Sequence, residues 1–415
     1  MNAPFISLRD LSVFPSLQQI WDVLPEARVV GGAVRDLLSN RPVSDFDLGT
    51  PEPPQTVMER LEAAGIRVIP TGLAHGTLTA LVNGRGFEIT TLRRDEETDG
   101  RHAQVAWTQS WREDAARRDF TINAMSCDSS GNVHDYFGGY ADLNAGRVRF
   151  VGDAETRIRE DALRIFRFFR FQARFGSVAP DTETLRAISR CVDMIARLSV
   201  ERIWSELRRI LVGPRVVEMF RLMQNTGVLT ACLPELSGHE DGALRRLEAV
   251  IAIEAPARLD IRMAALLAGA GISLPVIEAC LKRLRTSRQE AVAIIALLRD
   301  GPVPDPLTVA TPKDGARLLA GTERDILLGR IWLAEAQQKD DGAGDYDPEK
   351  WRRLRQMLSD LPVPVFPLAG RDLLAAGLPP GPRIGEILTV VRSWWEEGGC
   401  TADKEKCLIH AKDIS

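Results

Sequence analysis

The chain has 415 residues, 45% of them hydrophobic and 27% charged, with a net charge of −4. That length exceeds one ordinary core and predicts two to four domains, and the composition excludes wholesale disorder. The acidic total excludes nucleic-acid binding through overall charge, so such a partner must meet a local basic surface.

The N-terminus, "MNAPFISLRDLSVF", lacks a basic region followed by an apolar run and is not read as a signal peptide. Residues 1–26 read as an N-terminal helical segment. From about 27 to 151, short β-rich runs ("ARVVGG", "FDLGT", "IRVIP", "GTLTALV", "GFEITTL", "NVHDYF", "RVRFVG") alternate with turns and helices such as "PPQTVMERLEAAG". This predicts an α/β domain. Inside it, "RRDEETDGRHAQVAWT" from Arg93 is highly charged, lacks periodicity and is expected to be a mobile loop. After Gly152 the pattern is helical to the end, with breaks at "SVAPD" and "LVGP" and loops at "DGPVPDPLTVATP" and "QQKDDGAGDYDPEK". An α/β stretch followed by all-helical sequence predicts a catalytic head on a helical body. The apolar run Met263 to Ile277 is too short to span a bilayer and reads as a buried helix pair. Six cysteines without C-x-x-C spacing speak against a zinc site or a disulfide framework and fit a reducing cytoplasm.

The first stretch to carry chemistry is "VVGGAVRDLLSNRPVSDFDLGT", Val29 to Thr50. Gly31 and Gly32 do not begin a G-x-G-x-x-G fingerprint, and no G-K-[ST] follows. The glycines either relieve a strand-to-helix turn or present backbone N–H groups to a triphosphate, with Arg35 as an added cation. If "SDFDLG" is a strand, Asp45 and Asp47 point to one face and Phe46 to the other. Two carboxylates so placed repel unless protonated or bridged, and they suit Mg²⁺ that also binds phosphate oxygens. An exposed Asp-rich turn is the plainer alternative. In "GFEITTLR", alternation sets Phe87 and Ile89 on one face and Glu88 and Thr90 on the other. Glu88 is then either a third carboxylate of the site or part of a solvated face.

In "WREDAARRDFTINAM", Asp119 is placed to N-cap the next helix. The functional reading gives Arg118 to the triphosphate or ribose and lets Asp119 orient the arginine or the sugar. In "REDALRIFRFFRFQARFG", Asp161, Arg164, Arg167, Arg170 and Arg174 recur at three- and four-residue steps and predict one helical stripe among phenylalanines. The stripe is either a solvated basic face or a set of half-buried arginines in need of anions, which a triphosphate would supply.

Together these segments resemble the class II nucleotidyltransferases, the family of bacterial CCA-adding tRNA nucleotidyltransferases and bacterial poly(A) polymerases. The resemblance is carried by "GGAVRD…DFD", "HGTLTALVNGRGFEITTLR", "RRDFTINAM", "DYFGGYADLNAGRVRFVGDAETRIREDALRIFRFFRFQARFG" and "LSVERIWSEL", in the family's order, across roughly residues 28 to 212. It implies a polymerase-β-like α/β head (27–151) followed by an all-α neck (152–213), body (214–300) and tail (301–415) that binds tRNA. It further implies phosphate contacts near Gly32 and Arg35, and Mg²⁺ ligands at Asp45 and Asp47. Nucleotide contacts are implied at Arg118, Arg167 and Arg170, and base recognition at Asp161 and Arg164. "FPLAGRDLLAAGLPPGPRIGEIL" is similar to family tail segments. "GHEDG" near His239 lacks the adjacent His-Asp of an appended phosphohydrolase, so none is expected.

The implied reaction transfers a nucleoside monophosphate from CTP or ATP to the 3′-hydroxyl of tRNA by two-metal-ion phosphoryl transfer, releasing pyrophosphate. Cytosine and adenine each show an amino donor beside a ring-nitrogen acceptor, which a carboxylate and a guanidinium can match without a template. Uracil and guanine present the opposite sense and leave the charges mismatched. Poly(A) polymerases typically carry a basic segment like "GRRFRLxH" after the aspartate pair, absent here. CC-adding members tend to have a shortened loop after "TTLR", whereas Arg93 to Thr108 is full length. The first feature favours tRNA end synthesis over poly(A) polymerase, and the second favours complete CCA synthesis over a split enzyme adding only CC or only A. Intact Asp45, Asp47 and "EDALR" argue against an inactive RNA-binding relative. Oligomeric state is not encoded in any of these motifs.

Overall fold

The computed structural model describes residues 4–95, 105–342 and 346–414. It divides into two compact units, one of residues 1–206, 213–215 and 222–232, the other of residues 207–212, 216–221 and 233–415.

The strands are β1 (Arg28–Val30), β2 (Leu48–Thr50), β3 (Arg67–Gly72), β4 (Thr77–Val82), β5 (Arg85–Thr91), β6 (Arg93–Asp95), β7 (Val105–Trp107), β8 (Ser126–Cys127) and β9 (Val133–His134). Around them lie α1 (Phe14–Val23), α2 (Gly32–Leu38), α3 (Pro54–Ala63), α4 (Trp111–Ala116), α5 (Gly139–Asn144), α6 (Ala154–Glu160), α7 (Arg164–Phe175), α8 (Thr182–Arg190) and α9 (Val200–Leu211). A mixed sheet runs in the order β3-β4-β5-β2-β1-β8-β9. Its middle is assembled by alternation: Leu78, Ala80, Val82, Phe87 and Ile89 are buried between half-buried or exposed neighbours. Asn83 and Gly84, both at positive φ (50° and 76°), close the β4–β5 hairpin, as an Asn-Gly pair favours. The head core joins these residues to Leu17, Ile20 and Trp21 of α1 and to Val57 and Leu61 of α3.

Three expectations need correction. "RVRFVG" forms no strand, only an isolated bridge between Phe120 and Phe150. There Phe150 joins a ring cluster, stacked on Phe168 of α7 at 5.9 Å and tilted on Phe120 at 4.9 Å. The charged stretch from Arg93 is not loop throughout, because its ends pair as β6 and β7, Arg93 opposite Trp107. Its middle, 96–104, lies outside the described residues. Finally, the segment holding Asp45 and Asp47 is not a strand, since β2 begins at Leu48. The alternation survives all the same, with Phe46 buried and both aspartates exposed.

In the second unit, helices follow one another without a strand among the described residues. The apolar run 263–277 does form parts of two helices, Leu259–Gly269 and Leu274–Arg283, with Met263 to Leu267 buried. Toward the C-terminus, Leu319, Leu327, Ile331, Trp351, Leu354 and Leu358 form one core. Leu368, Leu373, Ile387, Val391 and Trp395 form another with Cys407 and Ala411. No helix among the described residues is long and apolar enough to cross a membrane.

Candidate active site

Strand register gathers the carboxylates. β1 runs antiparallel to β2, and Val30 N–H donates to the Asp47 carbonyl at 2.9 Å, so Gly31 and Asp47 share one end of the sheet. β5 is parallel to β2 with Leu48 opposite Ile89, which sets Glu88 beside Asp47. Although Asp47 is open to solvent, the protein around the cavity strips away part of its hydration, and this, then the neighbouring charges of Glu88 and Asp45, push its carboxyl above its usual range, against the opposing pull of Arg118. Like charges crowded in this way suit a hard divalent cation. Asp45 itself is exposed and accepts from Ser44 Oγ at 2.8 Å. Among the described residues no group of three or more His, Cys, Asp or Glu is gathered as a self-sufficient metal site.

A cavity of about 670 Å³ opens above this end of the sheet. Of the expected residues it is lined by Gly31, Gly32, Arg35, Asp47, Glu88, Arg118, Asp119, Asp161, Arg164 and Arg167; Asp45 and Arg170 are not in its wall. Arg170 instead pairs with Glu206 at 2.5 Å and lies over the Phe171 ring.

At the Gly-Gly turn one of the two N–H groups is already engaged. Gly31 N–H is already given to the Met125 carbonyl at 3.1 Å. What the position requires is φ +64°, and a Cβ there would lie 2.8 Å from Arg118 Nη1. Arg35 is also committed: it is 6% exposed and donates to Asn123 Oδ1 at 2.5 Å. It also donates to both carboxylate oxygens of Asp36, and lies over the Phe175 ring. Burial lowers its pKa despite Asp36.

Asp119 caps no α-helix. Burial alone would raise its pKa, but the Arg167 charge and hydrogen bonds from Asn123, Arg167 and Phe120 N–H hold it below the usual range. Arg167 donates through Nε at 2.7 Å and approaches through Nη2 at 2.5 Å. Asp119 thus holds Arg167 and not Arg118, the arginine it was expected to orient; Arg118 pairs with Asp114 instead. Asn123 joins Arg35 to Asp119, donating Nδ2 to Asp119 Oδ1 at 3.0 Å.

The single stripe from Asp161 to Arg174 is broken. Asp161 ends α6 with φ −151° and ψ 103°, and α7 starts afresh at Arg164. The Asp161 side chain causes the break by accepting from Leu163 N–H at 3.1 Å, a turn that competes with the helix. Its other oxygen accepts from Arg202 at 2.8 Å. Arg164 donates to the carbonyls of Arg157 and Arg117 and to Glu160. The half-buried arginines therefore already have protein anions, which the stripe alone did not disclose.

Asp114, buried at 3% exposure, was not singled out from the sequence. Burial would raise its pKa, but Arg118 and Arg117 outweigh it and hold the carboxylate low. The signal was available as helical i,i+3 and i,i+4 spacing in "DAARR".

Residues 27–149 match the model of the "Poly A polymerase head domain", and residues 178–239 that of the "Probable RNA and SrmB- binding site of polymerase A". The chain is 34% identical to the CCA-adding enzyme of Geobacillus stearothermophilus, across 95% of this chain and 94% of that protein. It is 34% identical to the mitochondrial CCA tRNA nucleotidyltransferase 1 of Mus musculus, across 93% and 86%. The chain belongs to the CCA-adding tRNA nucleotidyltransferase family. Its fold agrees: the Bacillus stearothermophilus CCA-adding enzyme in complex with CTP superposes with a TM-score of 0.74 at 30% identity, covering 94% of each chain. The Thermotoga maritima CCA-adding enzyme complexed with tRNA shares the fold at 20% identity and a TM-score of 0.68. A mixed-sheet head followed by helical neck, body and tail is thus the family architecture, and this member is a tRNA nucleotidyltransferase.

Proposed function

We propose that the protein builds or repairs the complete 3′-terminal CCA of tRNA from CTP and ATP, without a nucleic-acid template. One observation carries the reading: Asp47, Glu88, Arg118, Asp161 and Arg164 all line a single cavity of about 670 Å³, ample for a nucleotide. Asp161 and Arg164 are the base readers. Among the described contacts, three of the five guanidinium N–H donors of Arg164 are engaged, by Arg157, Arg117 and Glu160, which leaves two to donate. The Asp161 carboxylate keeps lone pairs beyond those given to Leu163 and Arg202.

Asp45 and Asp47 would hold Mg²⁺, with Glu88 adjoining. When bound, the metal supplies Lewis-acid stabilisation at the reacting oxygens. The protein's own part is to align the nucleotide with Arg118 and Arg167, neutralise phosphate charge and present the base edge to the Asp161–Arg164 pair. The compartment is read as the cytoplasm, in keeping with six cysteines in no disulfide, five of them buried.

The test is incubation of tRNA ending at the discriminator base with each nucleotide and with mixtures, followed by sequencing of the 3′ ends. CCA is the expected product. An indefinite A tail marks a poly(A) polymerase, a stop at CC marks a CC-adding enzyme, and A added only to CC ends marks an A-adding enzyme. Any of these outcomes refutes the reading.

A further inference from the structure

The cavity lining is chemically divided. Arg117, Arg118, Arg164, Arg167 and Arg202 contribute only donors, which suits a triphosphate, an acceptor-only ligand. The β4–β5 hairpin contributes two hydroxyls, Thr77 and Thr90. They stand directly opposite each other in the ladder, with Oγ1 atoms 3.0 Å apart. Thr90 is two residues beyond Glu88, hence on the same face and about 7 Å along the strand. It also pairs with Gly49 of β2, two residues beyond Asp47. The hydroxyl pair therefore lies one step from the carboxylates.

Among the described contacts each of these side chains is hydrogen-bonded only to the other. One hydroxyl donates to its partner, so the second proton and several lone pairs stay available. Such a pair matches a ligand group that both donates and accepts. A phosphate does not; a sugar hydroxyl does. The acceptor's terminal ribose must bring its 3′-oxygen to the carboxylates, and its 2′-hydroxyl is the adjacent group.

We propose that Thr77 and Thr90 bind the 2′-hydroxyl of the acceptor's terminal ribose, so that the protein selects an RNA end and seats the attacking 3′-oxygen beside Asp47 and Glu88. This rests on the function proposed above. The test compares single-turnover extension of two tRNA acceptors, one ending in a ribonucleotide and one in its 2′-deoxy counterpart, both with a free 3′-hydroxyl. Wild type should prefer the ribose end by about tenfold, the worth of a hydrogen-bonded hydroxyl. Thr77→Val and Thr90→Val should extend the ribose end only as fast as the deoxy end, while the preference for CTP over dCTP stays as in wild type. An unchanged acceptor preference in both folded variants overturns the inference, and so does collapse of the CTP preference instead. Should the valine variants fail to fold, equal wild-type rates on the two acceptors overturn it and a clear ribose preference supports it. Wild type failing to extend either acceptor would sink the proposed function as well, whereas extension without ribose preference sinks this inference alone.

Discussion

The ion pair between Asp119 and Arg167 ties the RRD segment to α7, and its strength can be bounded. Two guanidinium nitrogens reach one carboxylate oxygen, at 2.7 and 2.5 Å. The Asp119 side chain is 8% exposed and that of Arg167 33%, so the pair lies between a surface bridge and a buried one. Surface bridges contribute about 0–1 kcal/mol, whereas breaking a buried pair costs about 3–5 kcal/mol. A coupling of about 2 kcal/mol is expected. The assay is a double-mutant cycle of Asp119→Asn, Arg167→Met and the double variant, by urea unfolding at constant ionic strength. Asparagine keeps the acceptor for Phe120 N–H and removes the charge. A pH series adds a second signature. Asp119 is depressed below its ordinary value of 3.8, so its contribution is present above that value and is lost as pH falls through the folded one. The gap between wild type and Asp119→Asn should be constant from about pH 7 to 5 and shrink below about pH 4. Additivity within about 0.5 kcal/mol would refute the coupling, and a gap unchanged into acid would refute the electrostatic cause.

Asp45→Ala and Asp47→Ala should each abolish incorporation of both C and A while tRNA affinity, read by filter binding, changes little; near-normal Mg²⁺-dependent turnover would refute the metal assignment. Asp161→Ala and Arg164→Ala should each lower kcat/KM for CTP and ATP about ten- to hundredfold and erode selectivity against UTP and GTP, whereas Arg167→Ala should weaken all four nucleotides alike. Kinetics with each nucleotide separate these roles. Phe168, fully buried in the Phe120–Phe150 ring cluster, should cost about 3–5 kcal/mol when replaced by alanine, measured by thermal unfolding; a loss under about 1 kcal/mol would show that the cluster is not a structural anchor.

The motifs of the head and neck, in their order, were enough to name the family, and local periodicity was enough to place β4, β5 and the buried phenylalanines of α7. These features depend on neighbours in sequence: side-chain alternation and an apolar face repeating every three or four residues. Partnerships between distant residues were not legible. Nothing in "GFEITTL" says that it runs parallel to "LGT" and brings Glu88 beside Asp47. Nothing in the stripe says that Asp119 and Glu206 of other segments engage Arg167 and Arg170, or that Arg202 engages Asp161. Even the helix break at Asp161 depended on whether its carboxylate would take a backbone N–H two residues on or leave the helix to continue. Register, burial and charge pairing are energies of contact between remote parts of the chain, and only the folded arrangement decides which of the available contacts are made.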